Sequence, residues 1–177
     1  VSDIFSTVRT CAEFNIIPKS YFSFPIKLVE FLEERKVNTI YWVPSALCIV
    51  ANLKLFDYKK PTHLKQVLFA GEVMPNKQLN YWRKHLEADG TIFANLFGPT
   101  ETVDICTFYR VNRQFRDDEP LPIGVHIDNC DTFVVGGGAK EIKEPGEIGE
   151  LYVRGALVAF GYFDNKDKTS EAFVQNP

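Results

Sequence analysis

Asn95-Leu96-Phe97-Gly98-Pro99-Thr100-Glu101 gathers, in one short run, most of the groups in this sequence that could do chemistry. The apolar run Thr91-Ile92-Phe93-Ala94 leads into it and reads as a buried strand. Gly98-Pro99 breaks that strand and turns the chain. A hydroxyl (Thr100) and a carboxylate (Glu101) then stand at the strand's carboxyl end, where open α/β sheets place their ligands. A hydroxyl can bond a phosphate oxygen, and a hard carboxylate can hold Mg²⁺ against phosphates. The ring of Phe97 could stack on a base, and the amide of Asn95 could pair with a base edge. The plainer reading is a strand, a turn and a helix cap, and the residues by themselves leave both open.

The flanking elements must put this stretch in place. Residues 1–9 read as a short helix with Ile4, Phe5 and Val8 on one face. Residues 11–17 alternate and stop at Pro18, which predicts a strand. Pro25 opens a helix to about residue 36, with Leu28, Val29 and Leu32 at core spacing. Residues 39–43 form an apolar strand closed by Pro44, and Ser45 is a candidate cap for a helix reaching about residue 55. Residues 64–70 are a second apolar strand, ended by Gly71-Glu72. Pro75 opens a helix whose stripe is Leu79, Trp82 and Leu86, and Gly90 ends it. Residues 91–96 are the next strand. Strands alternating with helices predict an α/β fold, a parallel sheet covered by helices.

Beyond Glu101 the pattern changes. Residues 105–111, 131–135 and 147–154 read as strands joined by turn-rich links. Pro120, Pro122 and Gly124 mark a boundary. The expected organisation is an α/β nucleotide-binding subdomain over residues 1–121 and a smaller β-rich, barrel-like piece over residues 122–177. Gly136-Gly137-Gly138 follows a strand, but another strand comes next, so a hairpin turn is expected rather than a phosphate loop.

Composition narrows the class. The chain has 177 residues, 45% of them hydrophobic, which supports a true core rather than disorder. The net charge is −3, and basic clusters such as Lys59-Lys60 and Arg83-Lys84-His85 are too short for a nucleic-acid footprint. No apolar stretch reaches membrane-spanning length; the run 40–51 is interrupted by Pro44 and Ser45. Cys11, Cys48, Cys106 and Cys130 are widely spaced, with no C-x-x-C pair, so a zinc site is not expected. Their spacing, with no signal-peptide pattern at the start, predicts a reducing, cytoplasmic setting. His63, His85 and His126 adjoin no nucleophile at a turn and read as non-catalytic.

The literal strings add a resemblance. Asn95–Glu101 resembles the N-x-Y-G-P-T-E core motif of the adenylate-forming (ANL) superfamily, with Phe97 in place of the usual Tyr. Phe69-Ala70-Gly71-Glu72 is similar to that family's G-G-E or A-G-E element. The stretch from Gly146 through Gly161-Tyr162 resembles its G-E-L-x-I-x-G-x-x-x-x-x-G-Y motif, with Phe160 where an Arg is usual. Lys168-Thr169-Ser170-Glu171-Ala172-Phe173 resembles the L-T-x-x-x-F continuation. Nearly the whole chain is covered in order. The likeness is nearest to the amino-acid adenylation domains of peptide synthetases and to D-alanine–carrier-protein ligases.

That resemblance implies a ligase using ATP and Mg²⁺ to join an amino acid, through its aminoacyl-adenylate, to the phosphopantetheine thiol of a carrier protein. It implies that Glu101 holds Mg²⁺ and Thr100 bonds phosphate, the pair forming the catalytic set. It implies that Phe97 stacks on adenine while Asn95, Gly71 and Glu72 bound its edge. It further implies a substrate side-chain pocket at Ser2, Tyr41, Leu68, Ala70, Leu96, Asp104 and Ile105. Asp104, a carboxylate in an apolar run, is the polar exception there; a surface position or an internal partner such as Arg110 is its plainer reading. Two rival readings are an acyl- or aryl-coenzyme A synthetase of the same superfamily and a non-catalytic nucleotide-binding module.

The sequence starts at Val1 rather than Met and stops at Pro177, and reads as an internal fragment. On that reading the family's phosphate loop, its substrate-amine Asp, its ribose Asp and its catalytic Lys lie outside these residues. Each supplies a contact that the transition state needs. The purified 177-residue chain is therefore expected to form no adenylate. Pyrophosphate exchange above background by that chain would refute the expectation.

Overall fold

The computed structural model describes residues 2–138 and 140–174, with Ser2 described by its backbone only. They form two compact units. One comprises residues up to Leu96 together with Tyr109–Gly124, the other Phe97–Phe108 together with residues from Val125 onward.

The first unit begins with helix α1 (Ser2–Thr10) and then runs α2 (Pro25–Glu34), β1 (Thr39–Trp42), α3 (Pro44–Asn52), β2 (Gln66–Phe69), α4 (Asn76–Leu86) and β3 (Ile92–Phe97). The three strands lie side by side, parallel, in the order β1-β2-β3. Two-residue alternation then sorts the side chains. Ile40, Val67, Phe69 and Phe93 are buried together with Leu28, Val29 and Leu32 of α2, Leu47 and Val50 of α3, and Leu79, Trp82 and Leu86 of α4. The predicted stripes of α2 and α4 are thus the ones that meet the sheet, whereas Ile4, Phe5 and Val8, expected to share a face of α1, stay exposed. Trp82 sits at the centre, fully buried, edge-on to Phe56 at 4.7 Å, and its indole N–H donates to the Leu47 carbonyl at 3.0 Å. Two backbone-reaching amides pin residues 115–119 to α4: Asn76 Nδ2 donates to the Arg116 carbonyl at 3.1 Å and Asn80 Nδ2 to the Phe115 carbonyl at 3.0 Å.

Two local expectations fail. Residues 11–17 form no strand: Cys11 turns with φ of 53°, Phe14 and Ile16 stay exposed, and the segment pairs with no edge. Alternation fits an extended chain, but a strand also needs a neighbour to accept its hydrogen bonds. Ser45 does not cap α3. Pro44 takes the first helical position and Val43 the cap position, without a side-chain bond.

The second unit is β-rich. β4 (Thr107–Arg110) pairs antiparallel with β5 (Val125–His126) through Thr107 and Phe108. β6 (Cys130–Val135) is the middle strand of a three-stranded antiparallel sheet between β7 (Glu141–Ile142) and β8 (Glu150–Gly155). The glycine triplet is the expected hairpin turn, with Gly136 N–H donating to the Lys140 carbonyl at 2.8 Å. A closed barrel is not present among the described residues; the barrel-like expectation becomes an open sheet, because two-residue β7 is too short to carry closure. α5 (Lys166–Ala172) follows, capped by Asn165 Oδ1, which accepts from the Lys168 N–H at 3.1 Å. Residues 97–108 belong to this unit because Phe97 O accepts from Cys106 N–H at 2.8 Å and Cys106 O accepts from Ile127 N–H at 3.0 Å. All four cysteines are free thiols.

Trp82→Ala should lower the stability of the first unit by about 3–5 kcal/mol, since the cavity left under the sheet cannot fully collapse. Urea unfolding followed by circular dichroism measures it. A loss below about 1 kcal/mol would mean that the neighbouring rings refill the space.

Candidate functional site

In the first unit the register fixes which predicted residues share a face. Tyr41 stands beside Leu68, and Leu68 beside Ala94. Leu96 lies two residues beyond Ala94 in β3 and Ala70 just past the end of β2, on the same side by alternation. Tyr41, Leu68, Ala70 and Leu96 are all half-buried, on the face opposite the helix-packed core. A hollow of about 410 Å³ opens nearby, lined by Phe22, Tyr41, Trp42, Val43, Ser45, Ala46 and Ile49. Ser2 lies in α1, and its side chain falls outside the described residues.

The loop after β2 is shaped by Gly71 and anchored by Glu72. Gly71 has φ of 88°, a left-handed conformation that L side chains resist. The Glu72 carboxylate accepts from the Ser45 N–H at 2.8 Å through one oxygen and from the Ser45 hydroxyl at 3.1 Å through the other. Ser45 is at the second position of α3, so Glu72 supplies from a distance the cap that Val43 cannot. An anion at a helix N-terminus is worth about 0.3–1 kcal/mol when exposed. Its charge also stands near Cys48, whose thiol is pushed up first by burial and then by Glu72. Asn95 is buried, and its amide nitrogen donates to the Pro122 carbonyl at 2.8 Å.

In the second unit, residues 97–106 close tightly. A Cβ on Gly98 would lie 2.3 Å from the Asp104 carbonyl oxygen and 2.6 Å from Ile105 Cα, so only glycine fits. A single 3-10 turn, Thr100–Thr102, follows Pro99. Pro99 O accepts from both the Thr102 N–H at 3.1 Å and the Thr102 hydroxyl at 3.0 Å. Val103 and Asp104 then take φ of 56° and 101°. A β-branched residue in that region is strained, and such strain collects at functional loops. Phe97 and Thr100 are exposed, and Asp104 and Ile105 are half-buried.

Glu101 is held twice. Its carbonyl accepts from the Ala159 N–H at 2.8 Å, and its carboxylate accepts a short hydrogen bond from the Tyr162 hydroxyl. That hydroxyl holds the Glu101 carboxyl below the ordinary range, and the carboxylate in turn pushes the Tyr162 phenol up. Sequence reasoning placed Tyr162 in a motif but gave it no part in the site. The signal lay in the Gly161-Tyr162 pair, but nothing local connects it with Glu101.

No group of three or more His, Cys, Asp or Glu able to hold a metal ion by itself occurs among the described residues. Mg²⁺ does not require one. It keeps several waters and is bound through one or two carboxylates plus substrate phosphates. A half-exposed carboxylate kept ionised by a neutral donor, as Glu101 is, fits that mode.

Residues 1–163 match the family model described as AMP-binding enzyme. The L-proline--[L-prolyl-carrier protein] ligase of Streptomyces coelicolor is 36% identical over 91% of this chain, which covers 30% of that protein. Zwittermicin A synthase ZmaJ of Bacillus cereus is 35% identical over 86% of this chain, which covers 29% of that protein. In fold, the chain superposes on the Vibrio cholerae adenylation domain AlmE, solved with glycyl-adenosine-5'-phosphate, with a TM-score of 0.85 at 20% identity, covering 98% of this chain and 32% of that one. This chain thus spans about 30% of the length of the first of these relatives. With a parallel sheet under helices, an antiparallel sheet after it and the family match running through both, the chain belongs to the AMP-binding enzyme family.

Proposed function

We propose that this chain is part of an ATP-dependent ligase that adenylates an amino acid and passes the aminoacyl group to a carrier-protein thiol. The observation that carries the reading is the Glu101 turn. The family match includes it, its backbone is glycine-locked at Gly98, and it presents a hydroxyl and an ionised carboxylate just past the end of β3. A relative named as an L-prolyl-carrier protein ligase favours an amino acid over a fatty or aryl acid.

In the proposed reaction a substrate carboxylate oxygen attacks the α-phosphorus of ATP. The bond from that phosphorus to the bridging oxygen breaks, and pyrophosphate leaves. A carrier thiolate then attacks the acyl carbon, and AMP leaves. The chain's work is positioning and charge neutralisation. In the second unit, Thr100 would donate to a phosphate oxygen, Phe97 would stack on adenine, and Glu101 would hold Mg²⁺. The cation would supply charge neutralisation at the phosphates. In the first unit, the glycine-shaped backbone at Gly71 would lie along adenine, with Glu72 fixing the loop through Ser45. Asn95 would present its edge while its amide nitrogen stays on Pro122. Tyr41, Leu68, Ala70 and Leu96 would face the substrate side chain, and Ser2, Asp104 and Ile105 complete the proposed set. No described helix is long and apolar enough to cross a membrane. Four free thiols fit a reducing, cytoplasmic setting.

Glu101→Gln in the whole protein should cost about 3 kcal/mol of transition-state stabilisation, roughly a hundredfold in rate, with the fold retained. Pyrophosphate exchange at limiting Mg²⁺ is the measurement, and an unchanged rate would reduce Glu101 to a structural turn residue.

Asp104→Ala, with circular dichroism to check that the positive-φ turn is kept, should move substrate preference from polar toward apolar amino acids. Removing one desolvated polar contact changes the ratio of kcat/KM values by about ten- to a hundredfold. Competitive pyrophosphate exchange across the amino acids reads the ranking, and identical rankings for the two proteins would place Asp104 outside the pocket.

A further inference from the structure

The carboxylate of Glu101 accepts from the hydroxyl of Tyr162, and that partner is itself held firmly. The Tyr162 N–H donates to Thr169 Oγ1 at 2.9 Å, and the same hydroxyl donates to the Asn165 carbonyl at 2.7 Å. The Tyr162 ring lies edge-on to Phe173, centroids 5.5 Å apart at 76°. Gly161 brings the backbone against α5 so closely that a Cβ there would stand 2.5 Å from Thr169 Cγ2. α5 thus fixes the ring, and the ring aims its hydroxyl. The bond from Ala159 N–H to the Glu101 carbonyl fixes the backbone of the same residue independently. A turn needing only attachment has it through Ala159; the bond to the carboxylate acts on the side chain alone.

We propose that Tyr162 is a positioning residue for Glu101, orienting the carboxylate toward the cation of the bound nucleotide. This rests on Glu101 being the cation ligand, as proposed above. Ligating carboxylates are oriented by hydrogen bonds from a second layer of groups, and loss of such a partner typically weakens metal affinity ten- to a hundredfold. Tyr162 touches neither substrate nor cation in this arrangement and acts through Glu101.

The test uses Mn²⁺ as a paramagnetic stand-in for Mg²⁺, since both suit carboxylate oxygens. Mn²⁺ is titrated into the ¹³C-labelled whole protein in the presence of ATP, and broadening of the Glu101 side-chain carboxyl signal is followed in wild type, Tyr162→Phe and Phe173→Ala. Circular dichroism checks the fold of each. Tyr162→Phe removes one hydroxyl and keeps the ring and the Ala159 tie; Phe173→Ala keeps the hydroxyl and frees the ring. Wild-type Glu101 should broaden ahead of the other carboxylates. Tyr162→Phe should need about tenfold more Mn²⁺ for the same broadening, and Phe173→Ala a smaller increase in the same direction. In the whole protein, Tyr162→Phe should raise the Mg²⁺ requirement of pyrophosphate exchange without changing the KM of the amino acid. Equal Mn²⁺ dependence in wild type and both variants would overturn the positioning role while leaving Glu101 as a ligand. Failure of wild-type Glu101 to broaden first would overturn both.

Discussion

Suppose β2 slipped one residue against β3. Leu68 would then enter the helix-packed core, and Val67 and Phe69 would leave it, because alternate residues face opposite sides. The observed register prevents this by matching three buried positions, Ile40, Val67 and Phe93, to helices whose stripes are already set. The cost of a slip would include two fully buried side chains, Val67 and Phe69, each worth about 1.5–3 kcal/mol. The same register gathers Tyr41, Leu68, Ala70 and Leu96 on the other face. The proposed substrate-facing residues of the first unit therefore owe their grouping to core packing that they take no part in.

In the second unit the controlling constraint is steric rather than hydrophobic. Gly98 lies under the Asp104 carbonyl, and no side chain can enter there. That approach requires the chain to turn sharply between them, and it does so through a 3-10 turn and two successive positive-φ residues, Val103 and Asp104. A strained valine persists only where its surroundings over-determine it. Here they are the Phe97 carbonyl bond to Cys106, the two bonds to the Pro99 carbonyl, and the Ala159 tie to Glu101.

Where the sequence was legible, the determinants were local. The stripe of Leu79, Trp82 and Leu86 has helical spacing, and the glycine triplet lies between two strands, so short-range rules suffice. Residues 11–17 misled because alternation shows what an extended chain would bury, not whether an edge is free to pair with it. β5 and β7, of two residues each, are too short for any period to register. Ser45 read as a cap because it is polar and follows a proline, whereas the acceptor that completes α3 comes from Glu72, 27 residues away. The bond from Tyr162 to Glu101 spans 61 residues, and nothing local announces it.

Glu72 and Glu101 both end motif-like strings at the carboxyl ends of neighbouring strands, and sequence alone treats them alike. Their partners separate them. Glu72 places both oxygens on Ser45, at the positive end of a helix, where displacement by a ligand would expose the α3 N-terminus. Glu101 has a neutral phenol as its side-chain donor, which favours the ionised form without cancelling its charge. A carboxylate whose two oxygens are both taken up at a helix end holds a loop in shape. A carboxylate kept charged by an uncharged neighbour still attracts a cation, and for that reason the proposed chemistry falls to Glu101 and the architecture to Glu72.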